Sequence, residues 1–489
     1  MSKEISRRTF LRGSLAGTIV VAGFDTVLRS WVSAVELEHH ATALAQDFPA
    51  FDGVLLLDDA SRAAAADDFG HLVHRQPLAV LKPGSVDDVV KLVRFARRNN
   101  IKVAARGQAH STQGQAQVEA GVVVDMSTLA TVHEINPTNT LVDGGTRWLD
   151  LLVQTIPQGL TPPTLVDFLE LTVGGTLSLG GIGSQAFRFG SHVDNVLELQ
   201  VVTGEGELVS CSPSQNKELF DAARSGLGQF GLIVRARVRL IAAPPNARLY
   251  HAFYSSLPAF LSDLEKLIDD GRFDTVQGFA VPDGSGGWLF QLETTKYFSP
   301  GDEPDDAALL SGLNFNPGTH TAQDMTYFDY VNRLAPLVEF LRQIGVWAFP
   351  HPWVNLFVPA SNAQKLIGET LATLTVEDVG QGPILIYPFN RELFRTPFFR
   401  VPDSRHFFVF ALLRNAVPPT PERATQLVAA NRTLFERAVM LGGKRYPFDS
   451  VPMTKHDWQK HYQPLWGAFV SAKRHFDPDE ILTPGQGIF

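Results

Sequence analysis

The amino-acid sequence predicts an α+β protein built from two domains, and three observations favour this fold class. The chain has 489 residues, more than one hydrophobic core usually supports. Helix-like and strand-like apolar periods alternate over the first half of the chain. A proline-marked segment, "IAAPPNAR" at 241–248, then separates this half from a part of different character. We therefore expect two packed units, with one interrupting the other.

The first half contains helix and strand signals in turn. In "PGSVDDVVKLVRFARRNN", Ser85 is expected as an N-cap, and the apolar residues that follow it recur on one helical face. A second helix is predicted near 148–156. Segment 197–211 has the pattern of a hairpin. The remaining predicted strands are "IKVAA" at 101–105, "GVVVDM" at 121–126, "TLVDGG" at 140–145 and "VRARVRL" at 234–240.

The second half, from about residue 246 to 446, is predicted as a separate α+β domain. Its signals are the helical run "LPAFLSDLEKLIDD", a loop rich in Asp, Pro and Gly at 298–319, and an aromatic cluster in "WAFPHPWVNLFVP". The chain ends in "HFDPDEILTPGQGIF", where Gly and Pro punctuate a short terminal element.

The N-terminus predicts an export signal. Arg7 and Arg8 stand as a pair in "SRRTFLR", ahead of a mildly apolar run at 13–24, which is the pattern of a twin-arginine signal. That run is too short and too rich in Gly and Ala for stable membrane insertion. We therefore expect a signal peptide at 1–34 and a periplasmic or secreted protein. A basic amphipathic helix of the folded domain is the weaker alternative.

Composition excludes several classes of function. The net charge is −9 and both signs are interspersed, so no basic face for nucleic acid is expected. Cys211 is the only cysteine, which excludes an internal disulfide framework and a cysteine metal cluster. Because no other metal-ligand spacing is present either, we expect no metal site.

Three glycine-rich segments predict a site for a large ligand that carries phosphate. The stretch "VAARGQAHSTQGQAQ" at 103–117 places His110 between Gly107 and Gly114, and "TVGGTLSLGGIGSQ" and "GLGQFGLI" follow at 172–185 and 226–233. Glycine permits backbone conformations in which several N–H groups point at one anion. None of the three has Rossmann spacing, and one alone would only indicate a turn. Together they favour a ligand that contacts several loops.

These segments also carry a family resemblance. "RGQAHS", "VDFLELTVGGTLSLGGIGSQAFRFG", "GLGQFGLIVRARV" and the terminal "DPDEILTPGQGIF" resemble the vanillyl-alcohol-oxidase type of FAD enzyme. "LRQIGVWAFPHPWVNLFVP" and "GPILIYPFN" narrow the resemblance to the cytokinin dehydrogenase family. The resemblance implies a PCMH-type FAD-binding domain at 50–243, a substrate domain of antiparallel sheet and helices at 244–446, and a C-terminal segment at 447–489 that completes the FAD-binding domain.

The resemblance implies FAD as the cofactor, with His110 joined covalently to the 8α-methyl group of the flavin. Ile233 would meet the adenine portion of FAD, and Gln486 would lie near the flavin ring. The remaining implied cofactor residues, which would hold the pyrophosphate and the flavin, are Arg106, Gly107, Ser111, Gln115, Gly174, Gly175 and Thr176.

Two positions depart from the family pattern. Ala109 stands where the family usually has glycine, so a left-handed backbone at this position would strain the loop before His110. Some relatives have a second covalent link through a cysteine near the "TVGG" turn, but this chain has Glu170 and Leu171 there, and Cys211 lies elsewhere. We therefore expect at most one covalent link.

The resemblance further implies oxidation of the secondary amine in the N6 side chain of isopentenyladenine-type cytokinins. Asp167 would be the catalytic base, and the imine product would hydrolyse to adenine and an unsaturated aldehyde. Quinone or dioxygen would accept the electrons. Trp353 and Asn390 are candidates for substrate contact, while most of the other aromatic residues near them are expected in the core.

Other interpretations stay open. The chain could be a different covalent-FAD oxidase that acts on an alcohol or a sugar, or a non-catalytic flavoprotein that binds cytokinins. A sugar oxidase should have a pocket rich in acids and amides, whereas the segments here are aromatic and aliphatic, which favours a flat apolar substrate. Taken alone, His110 could be a loop histidine bonded to backbone, and Asp167 could be an N-cap.

Overall fold

The computed structural model describes residues 21–25, 30–33 and 49–489. Arg7 and Arg8 of the predicted export signal lie outside the described residues. Strands β1 (Val21–Asp25) and β2 (Ser30–Ser33) pair antiparallel. Within the described ranges, no helix combines the length and the hydropathy needed to cross a bilayer.

The first part of the chain, residues 49–243, forms two main sheets and a short two-stranded sheet of β9 and β13. In the smaller main sheet the strand order is β3-β4-β6-β5, with β4 and β5 parallel to β6. The larger sheet is antiparallel, in the order β11-β10-β12-β8-β7. The strands are β3 (Val54–Leu56), β4 (Ala79–Lys82), β5 (Val103–Arg106), β6 (Val122–Asp125), β7 (Val132–Asn136), β8 (Asn139–Asp143), β9 (Leu160–Thr161), β10 (Val196–Val202), β11 (Leu208–Cys211), β12 (Leu232–Arg239) and β13 (Ile241–Ala242). The helices are α1 (Asp59–Ala65), α2 (Val86–Arg98), α3 (Trp148–Thr155), α4 (Val173–Leu179), α5 (Ala186–Phe189) and α6 (Lys217–Ala223).

Local signals explain several of these elements. The Ser85 hydroxyl accepts a hydrogen bond from Asp88 N at 3.3 Å, which begins α2 at the predicted N-cap. Val89 and Leu92 of α2 are fully buried against the smaller sheet. The predicted hairpin at 197–211 is confirmed as β10 paired with β11.

The second part, residues 244–446, forms an eight-stranded sheet in the order β17-β14-β16-β15-β19-β20-β18-β21. Its strands are β14 (Asn246–Tyr254), β15 (Thr275–Pro282), β16 (Trp288–Phe298), β17 (Thr321–Thr326), β18 (Val354–Pro359), β19 (Ile384–Asn390), β20 (His406–Leu412) and β21 (Lys444–Arg445). Its helices are α7 (Leu257–Asp270), α8 (Asp306–Leu310), α9 (Tyr327–Val331), α10 (Ala335–Gln343), α11 (Ala360–Leu371), α12 (Val376–Val379) and α13 (Pro421–Met440).

The stretch predicted as a loop at 298–319 contains the short helix α8. The Asp305 carboxylate caps it by accepting a hydrogen bond from Ala308 N at 3.0 Å. The prediction of a loop over 298–319 was wrong at 306–310, because a capped helix of only one turn has no apolar period to reveal it.

The eight-stranded sheet is buried on both faces. Along β20, Phe408 and Phe410 belong to the core formed with α7, α11 and α13, whereas Phe407 and Val409 face the first part of the chain. This alternation follows from the two-residue period of a strand. The sheet therefore has one face available to close a site against the first part.

The C-terminal segment, residues 447–489, returns to the first part through α14 (Lys455–Tyr462) and α15 (Trp466–Phe476). Val103 N donates to Ile481 O at 2.8 Å, and Thr483 N donates to Val103 O at 2.8 Å, which joins the terminus to β5. The predicted α+β class is confirmed, and the predicted residue limits of the domains stay predictions.

Candidate active site

A cavity of about 800 Å³ lies where the first part of the chain meets the eight-stranded sheet. It is lined by the loop after β5, the start of α4, the N-terminal end of β12 and the C-terminal turn at 484–486. Asp167 and Trp353 line the same cavity. All ten predicted cofactor residues line it as well: Arg106, Gly107, His110, Ser111, Gln115, Gly174, Gly175, Thr176, Ile233 and Gln486.

The loop that carries His110 is held from both sides. Phe69 N donates to Ala109 O at 2.8 Å, and Thr112 N donates to Phe448 O at 3.1 Å. The buried carboxylate of Asp68 accepts from Gly114 N at 2.6 Å. These anchors come from distant parts of the chain, so the position of His110 is fixed by tertiary structure rather than by the loop alone.

His110 lies in an aromatic box. Its ring centroid is 4.2 Å from that of Phe69, 4.7 Å from Phe168 and 5.4 Å from Trp353, and Trp347 stacks at 5.9 Å. Burial, together with the positive charges of His351 and Arg342, lowers the pKa of His110 to about 3. The imidazole is therefore neutral near pH 7 and keeps a free lone pair on one ring nitrogen.

Ala109, directly before His110, has a φ of +50°. This is the left-handed region, which costs a residue with a Cβ about 1–2 kcal/mol. Ala109 therefore has the left-handed backbone considered in the sequence analysis, and the loop before His110 is strained.

Two glycines allow backbone segments to approach closely beside the cavity. A Cβ on Gly107 would lie 2.0 Å from Thr172 Oγ1, and a Cβ on Gly174 would lie 2.9 Å from Gly144 O. Gly174 N donates to that same carbonyl at 2.7 Å, which draws the start of α4 against β8. Packing therefore requires glycine at these positions.

Two of the predicted polar residues also brace the site. Arg106 Nη1 donates to Ala64 O at 2.7 Å, and Gln115 Nε2 donates to Asp449 O at 2.8 Å. Their side chains are partly committed to the protein, which fixes the cavity wall.

Asp167 lies in the loop between β9 and α4. The loop is pinned to the start of α3, because Trp148 N donates to Leu171 O at 3.0 Å. The Asp167 carboxylate accepts from Tyr387 Oη at 3.1 Å and from Arg333 Nη2 at 3.4 Å. Burial raises its pKa above the ordinary value, against the opposing charge of Arg333.

Glu293 is a second carboxylate in the cavity, and sequence reasoning missed it. It accepts from Arg333 Nε at 3.0 Å, from His251 Nε2 at 3.0 Å, and from Gln277 Nε2. Burial alone would raise its pKa, but the hydrogen bond from His251 and the charge of Arg333 hold the pKa below the ordinary value. Arg333 thus bridges two acids.

The remaining walls of the cavity are largely apolar. Trp353 Nε1 and Asn355 Nδ2 belong to cavity-lining residues, are buried, and have no hydrogen-bond partner among the described residues. They are donors available to a ligand. The apolar side chains on the side of the eight-stranded sheet are Leu249, Phe279, Val281, Leu385, Val409 and Leu413.

Not every predicted residue reaches the cavity. Asn390 lies at the end of β19 and donates to Phe187 O at 3.0 Å, and it lines a separate surface depression. The structure therefore does not bring Asn390 to the proposed substrate. Of the other aromatic residues in the segment that carries Trp353, Trp347 lines the cavity, whereas Phe357 is in the core.

Comparison with known proteins agrees with this architecture. A family model described as "FAD binding domain" matches residues 77–212, and one described as "Cytokinin dehydrogenase 1, FAD and cytokinin binding" matches residues 280–489. "Uncharacterized oxidoreductase ORF5 in fasciation locus" of Rhodococcoides fascians is 41% identical over 88% of this chain and 98% of its own length. "Cytokinin dehydrogenase 9" of Oryza sativa subsp. japonica is 36% identical over 90% of both chains, and "Cytokinin dehydrogenase 1" of Arabidopsis thaliana is 35% identical over 90% of this chain and 83% of its own.

The fold and the cavity define an FAD-binding oxidoreductase with the two-domain PCMH-type fold, as predicted. The extent of the matches identifies the family, and the chain belongs to the cytokinin dehydrogenase family.

Proposed function

We propose that this protein uses FAD to oxidise the N6 side chain of an isopentenyladenine-type cytokinin to an imine, which water hydrolyses to adenine and an unsaturated aldehyde. The observation that carries the proposal is the position of Asp167. Asp167 projects into a largely apolar cavity whose other end is formed by glycine-rich loops, and it accepts fewer hydrogen bonds than Glu293, the other carboxylate among the described lining residues. The names of the plant relatives support the class of substrate.

The residues present fit FAD. Gly107 and Gly174 present no side chain at the cavity wall, which leaves room for a large cofactor. The unpartnered donors Trp353 Nε1 and Asn355 Nδ2 suit polar atoms of a ligand. When bound, FAD would accept the hydride that leaves the side-chain carbon with its electron pair.

We further propose one covalent link between His110 and FAD. A neutral imidazole has the lone pair that such a bond requires, and the low pKa of His110 supplies this form at neutral pH. Acid precipitation should leave yellow colour in the wild-type pellet and release it from His110→Ala. His74→Ala is the matched control, because His74 is exposed and does not line the cavity. Free flavin in the wild-type supernatant would contradict the link.

Asp167 would receive the amine proton. As the N–H bond breaks, the proton moves to a carboxylate oxygen of Asp167, and the nitrogen electron pair forms the C=N bond as hydride leaves the adjacent carbon. The hydrogen bond from Tyr387 orients the carboxylate, and the apolar walls exclude water. A quinone or dioxygen would take the electrons in a later step.

A screen of substrates under anaerobic conditions tests the proposal. Purified protein is mixed with isopentenyladenine, with alcohols and with sugars, and the flavin absorbance is followed. Bleaching by isopentenyladenine but not by sugars is expected, because Glu293 and Asp167 are the only carboxylates among the cavity-lining residues that the structure describes. Bleaching by an alcohol or sugar alone would favour a different oxidase. Binding of isopentenyladenine without bleaching would favour a non-catalytic binding protein.

Export by the twin-arginine route belongs to this proposal as well. A folded flavoprotein would leave the cytoplasm with FAD already bound, in keeping with the paired Arg7 and Arg8.

A further inference from the structure

Arg333 occupies the space between two acids of the cavity. It follows α9, its side chain is 16% exposed, and its guanidinium lies over the ring of Tyr330 with 4.7 Å from Cζ to the ring centroid. Nε contacts Glu293 at 3.0 Å and Nη2 contacts Asp167 at 3.4 Å. One cation therefore serves two carboxylates that reach the cavity from different elements.

The two acids are not held alike. Glu293 on β16 accepts from Arg333, from His251 on β14 and from Gln277 on β15. Among the described residues, Asp167 accepts only from Arg333, at the longer distance, and from Tyr387 on β19. More donors stabilise a carboxylate more strongly in its ionised form. Glu293 is thus fixed as an anion, while Asp167 keeps the capacity to take up a proton.

We propose that Arg333 is a positioning residue that keeps Asp167 ionised and ready to accept the amine proton, with Glu293 as a fixed countercharge. The inference rests on the proposed function, because it assigns the amine proton to Asp167. The groups that face Asp167 are Arg333, the like charge of Glu293 and the hydroxyl of Tyr387. Without Arg333, Asp167 would lose the cation beside it while Glu293 kept its bonds from His251 and Gln277, and the proton would go to Asp167, which has fewer donors.

We expect the acid limb of the pH profile for flavin reduction to shift. The direction of the shift should depend on which residue is replaced. Asp167 must be ionised to react, so the rate of flavin reduction by isopentenyladenine falls as the pH drops below its pKa. Arg333→Met removes the attraction, and the acid limb should move up by about 1–3 pH units with the rate recovering at high pH. Glu293→Gln removes the repulsion, and the acid limb should move down. Arg333→Lys keeps the charge and should give a smaller upward shift.

Arg248→Met is the matched control. Arg248 is 17% exposed and also bridges two acids, Asp324 at 2.6 Å and Asp306 at 2.9 Å, but it does not line the cavity. Its replacement removes an arginine whose side chain is as little exposed as that of Arg333. The acid limb of this variant should stay at the wild-type pH.

A second measurement does not depend on turnover. Infrared difference spectra recorded across the pH range report the protonated carboxyl of Asp167 as a band that Asp167→Asn abolishes. The midpoint of this band should rise in Arg333→Met and fall in Glu293→Gln. If wild-type flavin is not reduced by isopentenyladenine, the proposed function fails, and the infrared midpoints still decide the role of Arg333.

Unshifted acid limbs and midpoints in a folded Arg333→Met protein would overturn the inference. Shifts of the same sign in Arg333→Met and Glu293→Gln would overturn it as well, because a purely structural role gives no inversion of sign. If Arg333→Met does not fold, Arg333→Lys and Glu293→Gln supply the two opposite shifts.

Discussion

Replacement of Asp167 by asparagine separates catalysis from folding, because the two side chains have nearly the same shape. The carboxylate accepts hydrogen bonds from Tyr387 and Arg333. An asparagine oxygen can keep one of these bonds, and its NH₂ group then faces the other donor. Loss of one bond to a charged group lowers the free energy of unfolding by about 1.5–3 kcal/mol. A domain with about 5–15 kcal/mol of stability should still fold and bind FAD.

The effect on the reaction should be much larger. An amide cannot accept the amine proton, and loss of a positioned base typically lowers the rate by about 10²–10⁴-fold. The measurement is stopped-flow reduction of the flavin by isopentenyladenine without oxygen. Asp150→Asn is the control, because Asp150 is half-exposed, pairs with Arg147 and does not line the cavity.

The outcome distinguishes three roles for Asp167. Slow reduction with a wild-type flavin spectrum supports the catalytic base. Reduction at the wild-type rate would refute the assignment, since the proton would then have another acceptor. Loss of FAD from Asp167→Asn, with Asp150→Asn still yellow, would make the residue structural.

Three other replacements test features outside the base. Ala109→Gly should raise the free energy of unfolding in urea by about 0.5–1 kcal/mol, because relief of the left-handed strain exceeds the added freedom of the unfolded chain; a loss of stability would contradict this. Lys473→Met should lower the same free energy by about 3–5 kcal/mol, because it leaves the fully buried Asp477 carboxylate without its cation at 2.7 Å; a change below about 1 kcal/mol would count against it. Replacement of Arg7 and Arg8 by lysine should retain yellow protein in the cytoplasm on cell fractionation, and unchanged export would remove the twin-arginine interpretation.

The glycine-rich loops beside the cavity could be predicted from the sequence because they require a particular residue type at single positions. The chain passes close to the Thr172 side chain at Gly107 and to the Gly144 backbone at Gly174, and glycine is the residue that fits there, so the sequence carries a visible mark. Ser85 marks the start of α2 in the same way. Such signals survive in a single sequence because each requires a particular residue type at its own position, even where the residue it contacts is distant in sequence.

The two cavity acids and the arginine between them have no such signal in the sequence. Asp167, Glu293, Arg333 and Tyr387 come from four separate elements and meet only through the pairing of β14, β15, β16 and β19 and the packing of that sheet on the first part. A charged residue in a strand or after a helix has no local backbone requirement, so "FQLETTKY" does not reveal Glu293. Asn390 shows the opposite case. Its segment resembles the family, but its side chain donates hydrogen bonds to backbone carbonyls away from the cavity.

The difference between the two acids follows from where each is built. Glu293 stands in the middle of a sheet, where neighbouring strands on both sides supply donors at fixed spacing, so His251 and Gln277 reach it directly across the strands. Asp167 stands in a loop that contacts the sheet through Tyr387 of β19. Fewer hydrogen-bond donors reach its carboxylate there than reach Glu293. The acid on the regular element is therefore the one held as an anion, and the acid on the loop is the one free to exchange a proton. A position on the sheet would have supplied the proposed base, Asp167, with donors that lower its pKa and weaken it as a base.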